Sequence, residues 1–460
     1  MRQHVAWGVT LMWVACAVLS AQDTKRPPNI VLLLADDLGY GDLACYGNPV
    51  HRTPHVDALA TGGMVFENAY ANAPNCAPTR AALMSGLYSP RTGVYTVNNS
   101  ARGKAKLRKL IPTPNRNDLD ESFVTLAETL AEAGYATGHV GKWHLGADPR
   151  RQGFGVNIAG NQAGHPRSYY TPYSNPDLED GTEGEYLTDR MGREACRFIE
   201  QNAERPFFLQ LAFFSVHTPI QGRRDLVESY TEELGDGRLA EYAAMVSAMD
   251  EAVGHVLKTL EQQALTRDTV VVFFSDNGGR SPWGNNGGLR GSKGMLYEGG
   301  IREPLIVRWP GRVRAGSRSG EPVIGIDLYP TLMEVAGVKR DPELLLDGVS
   351  LWPCLRGGAL PEREGLFWHF PVYLEGYLKE HGPWRTTPVG AIRRGPWKLL
   401  EFFEDNRLEL YNLESDPSES TNLALSHAAR ASDLLGRLHA WRKRVQAPVP
   451  TQLNPQYEGQ

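Results

Sequence analysis

The chain has 460 residues, 41% hydrophobic and 22% charged, with 48 glycines and 31 prolines. That composition excludes a collagen, a coiled coil and a disordered chain, and the length accommodates two to four domains whose cores need no disulfides. With 48 basic and 53 acidic side chains the formal charge is only -5, so no bulk field exists to hold a nucleic acid or an anionic membrane, and any anion must be met by a local cluster.

In chain order, Arg2 precedes an apolar run over 5–19, with Ser20 and Ala21 before the polar Gln22, Asp23, Thr24 and Lys25. This is the pattern of a signal peptide over 1–21, so an exported chain, periplasmic or secreted, is expected to begin near Gln22. The run is marginal for a membrane span and no later one is long enough, so no stable membrane insertion is expected. A lipoprotein cut before Cys16 is disfavoured by Trp13. Cys45, Cys76, Cys196 and Cys354 then remain, a sparse set for an exported protein, with no CxxC or Cys/His spacing for zinc.

Residues 29–35 (NIVLLLA) form a continuous apolar run of strand length that ends in Asp36 and Asp37. The same pattern returns at 136–141, which leads to Lys142 and His144. It returns again at 206–214, ending near His217, and at 269–274, ending in Asp276 and Asn277. Helical patterns cover 123–133, 186–202 and 239–264. Alternation of this kind predicts an α/β fold, a large mostly parallel sheet sandwiched by helices, with ligands bound beyond the carboxyl ends of the strands. After about residue 355 the texture changes to short aromatic strand candidates at 365–370, 389–393, 397–403 and 408–413, then an amphipathic helix over 423–445. The expected division is 22–355 for a catalytic domain and 356–460 for an α+β subdomain, a small antiparallel sheet with one helix.

The segment 76–86 reads CAPTRAALMSG. It resembles the signature of the type I sulfatases, members of the alkaline phosphatase superfamily, in which the cysteine is oxidised to formylglycine. Thr79 is the less usual choice at its position, while Cys76, Pro78 and Arg80 match. ADD at 35–37, GKWHLG at 141–146, HTP at 217–219, SDNGG at 275–279 and GSKGMLYEGGIREP at 291–304 follow in the family's order. The resemblance extends to arylsulfatase-like and carbohydrate sulfatases and covers nearly the whole expected mature chain.

The chemistry gives the resemblance a reason. Sulfate monoester hydrolysis needs an in-line nucleophile, clamps on the equatorial oxygens and a proton for the departing alcohol. A hydrated aldehyde offers two hydroxyls on one carbon: one attacks sulfur, and deprotonation of the other expels sulfate and restores the aldehyde. The resemblance implies that Cys76 is the precursor and that a formylglycine-generating or anaerobic sulfatase-maturing enzyme is a partner.

Asp36, Asp37, Asp276 and Asn277 form an oxygen-only set, suited to a hard cation. The family match assigns them to Ca²⁺, with the residue-76 hydroxyl and a sulfate oxygen completing the shell. It also implies that Arg80 and Lys142 steady the formylglycine diol, that His144 is the base, and that His217 and Lys293 contact sulfate, one of them protonating the leaving oxygen.

For the rest of the substrate, a sulfated small molecule or oligosaccharide, the sequence suggests two loops. Residues 101–116 carry Arg102, Lys104, Lys106, Arg108, Lys109 and Arg116. Residues 160–173 mix glycines with His165, Arg167 and tyrosines. Asn286, Arg290 and His369 are further substrate-binding candidates from their nearness to motifs or to the C-terminal sheet, as is Tyr373. The expected substrate is a sulfated carbohydrate. A phosphonate or phosphodiester hydrolase of the same superfamily, and a non-catalytic sulfated-glycan binder with unmodified Cys76, are the alternatives.

Overall fold

The computed structural model describes residues 26–459. The expected signal peptide therefore lies outside the described residues, and so do Gln22 and Cys16. Among the described residues no helix is long and apolar enough to cross a membrane, and Cys45, Cys76, Cys196 and Cys354 are all free.

Eight strands form the main sheet: β1 (Asn29–Ala35), β2 (Met64–Phe66), β3 (Ala136–Gly141), β4 (Val156–Ile158), β5 (Phe207–Ala212), β6 (Thr269–Ser275), β7 (Leu305–Arg308) and β8 (Ser317–Ser319). Their spatial order is β4-β3-β5-β1-β6-β7-β2-β8. The first five in that order are parallel, and β7 runs antiparallel to both its neighbours.

All seven residues of β1 are buried. Its side chains alternate between two cores, which is why the run is apolar throughout rather than every second residue. Ile30, Leu32 and Leu34 face α2 (Cys76–Ser85), α3 (Leu126–Glu132) and α7 (Leu328–Val335). Val31, Leu33 and Ala35 face α1 (Pro54–Gly62), α4 (Leu187–Gln201) and α6 (Gly237–Gln262). A remaining long helix, α5 (Arg224–Leu234), lies on α6. Each aliphatic side chain so buried contributes about 1.5–3 kcal/mol before entropy is counted.

Strands β9 (Leu366–Phe370), β10 (Val389–Arg394), β11 (Trp397–Phe402) and β12 (Arg407–Asn412) form the antiparallel C-terminal sheet, and α8 (Ala428–Arg444) packs on it. Its core takes in Tyr70, Tyr88 and Ile301 from earlier segments.

Two helices start later than the sequence pattern suggests. The helix expected from 123 begins at Leu126, because Thr125 accepts from Glu128 N at 3.1 Å while Glu128 accepts from Thr125 N at 2.7 Å, a capping box. The helix expected from 423 begins at Ala428, because Leu423 N is bonded to Leu410 O at 2.8 Å, which holds that segment against β12.

Candidate active site

The four central parallel strands, β3-β5-β1-β6, end side by side, and backbone hydrogen bonds lock their tips together. Asp36 N donates to Ser215 O (3.0 Å), Val216 N to Asp36 O (2.7 Å), Asp276 N to Ala35 O (3.1 Å) and Lys142 N to Ala212 O (2.8 Å). Gly141 permits the last of these: it sits at φ 103°, and a Cβ there would lie 1.9 Å from Ala212 O. Asp37 and His144 hold left-handed backbone at φ 61° and 65°, a conformation that costs about 1 kcal/mol or more for a residue with a Cβ. Strain of this kind persists where surrounding contacts fix it. His144 N donates to Asn161 O at 2.9 Å, and Gly164 lies so close to the ring that a Cβ would fall 2.4 Å from Cε1.

Cys76 is the first residue of α2, a helix buried along its whole length. The Cys76 and Ala77 N–H groups at this end favour an anion beside residue 76, Pro78 having none and Thr79 N being bonded to Asn75 O. Thr79 holds the loop before the helix: its Oγ1 donates to Ala73 O at 3.0 Å and accepts from Ala73 N at 3.2 Å. A hydroxyl suffices for that, and the methyl is accommodated. The Cys76 thiol lies 3.4 Å from His144 Nδ1, and burial pushes its pKa up.

Three carboxylates and three cations surround this point, all buried. Arg80 Nε donates to Asp276 Oδ2 at 2.8 Å, and its NH1 to Lys142 O at 2.6 Å. Lys142 Nζ donates to Asp36 Oδ2 at 2.7 Å, and Lys293 Nζ lies 2.6 Å from Asp37 Oδ1. Asn277 Nδ2 donates to Asp37 Oδ1 at 2.9 Å.

Burial, opposed by Lys142 and reinforced by Asp276 and Asp37, pushes Asp36 up to about 8. Burial would raise Asp37 too, but Lys293, His217 and Lys142 overcome it and hold that carboxyl below the usual range. Burial and then Lys142, Arg80 and Lys293 hold His144 well below an ordinary histidine. Burial and Lys293 do the same to His217, against the pull of Asp37.

Among the described residues no hydrogen-bond donor meets the buried Asp36 Oδ1 or Asn277 Oδ1, and potential ligand atoms of Asp36, Cys76 and Asp276 lie within 4.8 Å of one another. Crowded acceptors lacking donors, predominantly oxygen, fit a hard cation.

A cleft of about 590 Å³ opens onto this cluster, bordered by Cys76, His144, His217 and Lys293. Of the two candidate loops, only parts reach it. Arg102 does, whereas Lys106 pairs with Glu458, Arg116 with Asp120, Arg108 holds backbone carbonyls of its own loop, and Lys109 donates to Glu404 O. From the second loop, residues 162–165 border the cleft, and the His165 ring stacks on His217 with centroids 5.7 Å apart. Tyr169 and Tyr170 turn away to bond backbone carbonyls, and Tyr173 bonds Glu185.

Four substrate-binding expectations are corrected. Asn286 is a loop clasp, bonded to Gly279 N and O and to Gly291 O. Arg290 points to the C-terminal sheet, on Tyr411 OH and Glu419 O. His369 is buried in that sheet, with Nε2 2.8 Å from Pro448 O. Arg167 is exposed and does not border the cleft, and Tyr373, raised alongside these, instead bonds Glu404. The sequence reading missed Arg280, Glu375, Tyr377 and Arg385, all of which border it. None belongs to a strand-tip pattern; Arg280 directly follows SDNGG, the one signal that could have marked it.

This fold and this cluster define a sulfuric ester hydrolase: residues 28–338 match the sulfatase family, and the chain belongs to it. Residues 291–444 also match the C-terminal region of the N-sulphoglucosamine sulphohydrolases. The chain is 32% identical to human N-acetylgalactosamine-6-sulfatase, over 94% of its own length and 88% of the relative's. It is 32% identical to mouse steryl-sulfatase, over 95% and 85%. The crystal structure of Ps i-CgsB in complex with k-i-k-neocarrahexaose superposes with a TM-score of 0.78 at 31% identity, covering 93% of this chain and 95% of that one.

Proposed function

We propose that this protein is an exported, calcium-dependent sulfatase that removes sulfate from a carbohydrate, using formylglycine made from Cys76 by a maturing enzyme. The observation that carries the reading is the position of Cys76: it opens a buried helix, 3.4 Å from His144, inside a ring of Arg80, Lys142, Lys293 and the side chains of Asp36, Asp37, Asp276 and Asn277. A plain cysteine hydrolase would leave that ring without a purpose.

Asp36, Asp37, Asp276 and Asn277 would hold the calcium ion, which when bound supplies positive charge to offset the carboxylates and polarise the ester. Formylglycine at residue 76, once hydrated, would supply a nucleophilic hydroxyl and a second hydroxyl able to give up a proton. The chain's own groups do the rest. Lys293, His217 and the α2 N-terminus draw sulfate oxygens toward residue 76 and stabilise charge as it builds there, while Lys142 steadies residue 76 itself. Arg80, fixed by Asp276 and by Lys142 O, steadies residue 76 from the far side. His144 lies within reach to take a proton from it. His217 and Lys293 border the cleft side, where the leaving oxygen departs and requires a proton.

The carbohydrate assignment rests on the cleft. Identity does not discriminate, since the N-acetylgalactosamine-6-sulfatase and steryl-sulfatase relatives are equally similar. The cleft border carries Asn75, Asn98, Gln162, Thr218 and Glu375 with Arg, His and Tyr side chains, and one aliphatic residue larger than alanine, Val97. Such a border offers many hydrogen bonds to sugar hydroxyls and little aliphatic surface for a sterol. The complex of Ps i-CgsB with an oligosaccharide supports the same reading.

The test is a panel of monosulfated galactose, N-acetylgalactosamine and glucosamine derivatives against an aryl and a steroid sulfate. Desulfation of a sugar with higher kcat/KM than either alternative is expected. Turnover of the steroid and of no sugar would overturn the substrate class.

A further inference from the structure

Arg280, Tyr377 and Arg385 share one wall of the cleft with Lys293. The Arg280 and Arg385 guanidiniums lie 5.0 and 4.6 Å from the centre of the same Tyr377 ring. The trio is pinned beside the catalytic cluster. Tyr377 OH is 3.3 Å from Ser292 Oγ, and Arg385 lies against Gly294, where a Cβ would fall 2.6 Å from its Nε. Ser292 and Gly294 flank Lys293.

Neither arginine has a carboxylate partner or donates a side-chain hydrogen bond among the described residues, and Arg385 Nε is buried without an acceptor. Its neighbour Glu375 gives one oxygen to Arg102 at 2.7 Å, and no donor among the described residues lies within hydrogen-bond distance of the other, the buried Oε2. A guanidinium N–H removed from water with no acceptor is costly, as at Arg385 Nε, and two guanidiniums on one ring repel each other. Arginines serving only to pack the wall would be expected to show acceptors, as Arg290 and Arg363 do on Glu419 O and Asp327.

Resting on the glycan reading above, we infer that the substrate carries a second oxyanion beside the sulfate that is hydrolysed, and that Arg280 and Arg385 grip it. The shared chemistry is a planar or tetrahedral oxyanion able to bridge two forks of N–H donors: a second sulfate ester or a uronate carboxylate on the same or the adjoining sugar. Tyr377 holds the two forks in place.

The experiment compares three sugars with one common sulfate ester: one with no other charge, one with a second sulfate and one with a uronate. The full-length matured enzyme is assayed for sulfate release, with an aryl sulfate run alongside. The wild type is expected to favour at least one dianionic sugar over the monoanionic one by about tenfold or more in kcat/KM, and the better arm names the anion. In Arg385→Gln that ratio is expected to collapse toward unity, with Arg385→Lys keeping more of it. Arg280→Gln, nearer the surface, gives the same readout should the Arg385 variant not fold. Equal kcat/KM on all three sugars, or a ratio unmoved by both glutamine variants, overturns the inference while the carbohydrate reading stands. Turnover of the aryl sulfate and of no sugar overturns the carbohydrate reading itself.

Discussion

Replacing Asp276 by alanine tests two consequences of one side chain. Its Oδ2 accepts from Arg80 Nε at 2.8 Å, its Oδ1 from Asp37 N at 3.3 Å, and it is one of the three carboxylates that balance Arg80, Lys142 and Lys293. Without it one fewer negative charge faces Arg80, Lys142 and Lys293, and a divalent ion meets a more cationic pocket. One carboxylate charge about 4 Å from a divalent ion, with an effective dielectric near 20, is worth about 8 kcal/mol before the site relaxes, so calcium affinity is expected to fall by about a thousandfold or more. Arg80, only 1% exposed, is left buried without its counter-charge, at a cost of about 3–5 kcal/mol. Scaling unfolding entropy to this chain length converts that to a fall of about 4 °C in Tm. The assay is calcium titration of chelator-treated protein by calorimetry, with thermal unfolding in excess chelator and sulfate release in parallel. Asp276→Asn, of nearly the same shape and one oxygen richer than alanine, is expected to fall between. Calcium affinity within threefold of wild type in Asp276→Ala, or undiminished turnover, would refute the assignment of Asp276 to the metal.

Cys76→Ala is expected to lose all turnover while keeping a near-native Tm, because one buried sulfur is removed and the pairs around it survive; multiple turnovers at the wild-type rate would sink the nucleophile assignment. Gly141→Ala is expected to lower the urea midpoint by the equivalent of about 3 kcal/mol or more, since it combines a φ of 103° with a 1.9 Å approach to Ala212 O; an unchanged midpoint would contradict the account of that strand tip. Burial pushes His369 down to about 3, below its unfolded value, so the stability it supports is complete above pH 6.5 and is lost as pH falls from there toward 3. His369→Gln is expected to flatten the acid limb of stability against pH by up to about 1.4 kcal/mol per pH unit, and an unaltered slope would contradict the burial argument.

Strands β1 and β6 were legible because each is buried on both faces and nearly apolar throughout, so the polar tip stands out, as Asp36 and Asp37 do after NIVLLLA; β3 (ATGHVG) and β5 (FFLQLA) carry buried polar residues and show the pattern less cleanly. The antiparallel β7 and the three-residue β2 and β8 were not legible, because four residues or fewer carry no readable period. The site divides in the same way. Cys76, Arg80, Lys142, His144, His217 and Lys293 sit in motifs, and the fold gathers them at one point. Side-chain direction is a tertiary property, however, and nearness to a motif misplaced three residues: Arg290 follows the loop toward Tyr411, Asn286 clasps the loop's own backbone, and His369 points into the C-terminal core. Conversely, Arg280 and Arg385 are about a hundred residues apart and share Tyr377 only because a hairpin of the C-terminal region folds back over the strand tips.

The central claim is that residue 76 is a formylglycine that turns over sulfate esters, and peptide mass spectrometry across 76–86 tests it most directly when paired with sulfate release from the same preparation. The account predicts that protein produced with a maturing enzyme carries the aldehyde at residue 76, and that activity rises in proportion to the modified fraction. Full turnover from protein whose residue 76 is wholly unmodified cysteine would contradict it.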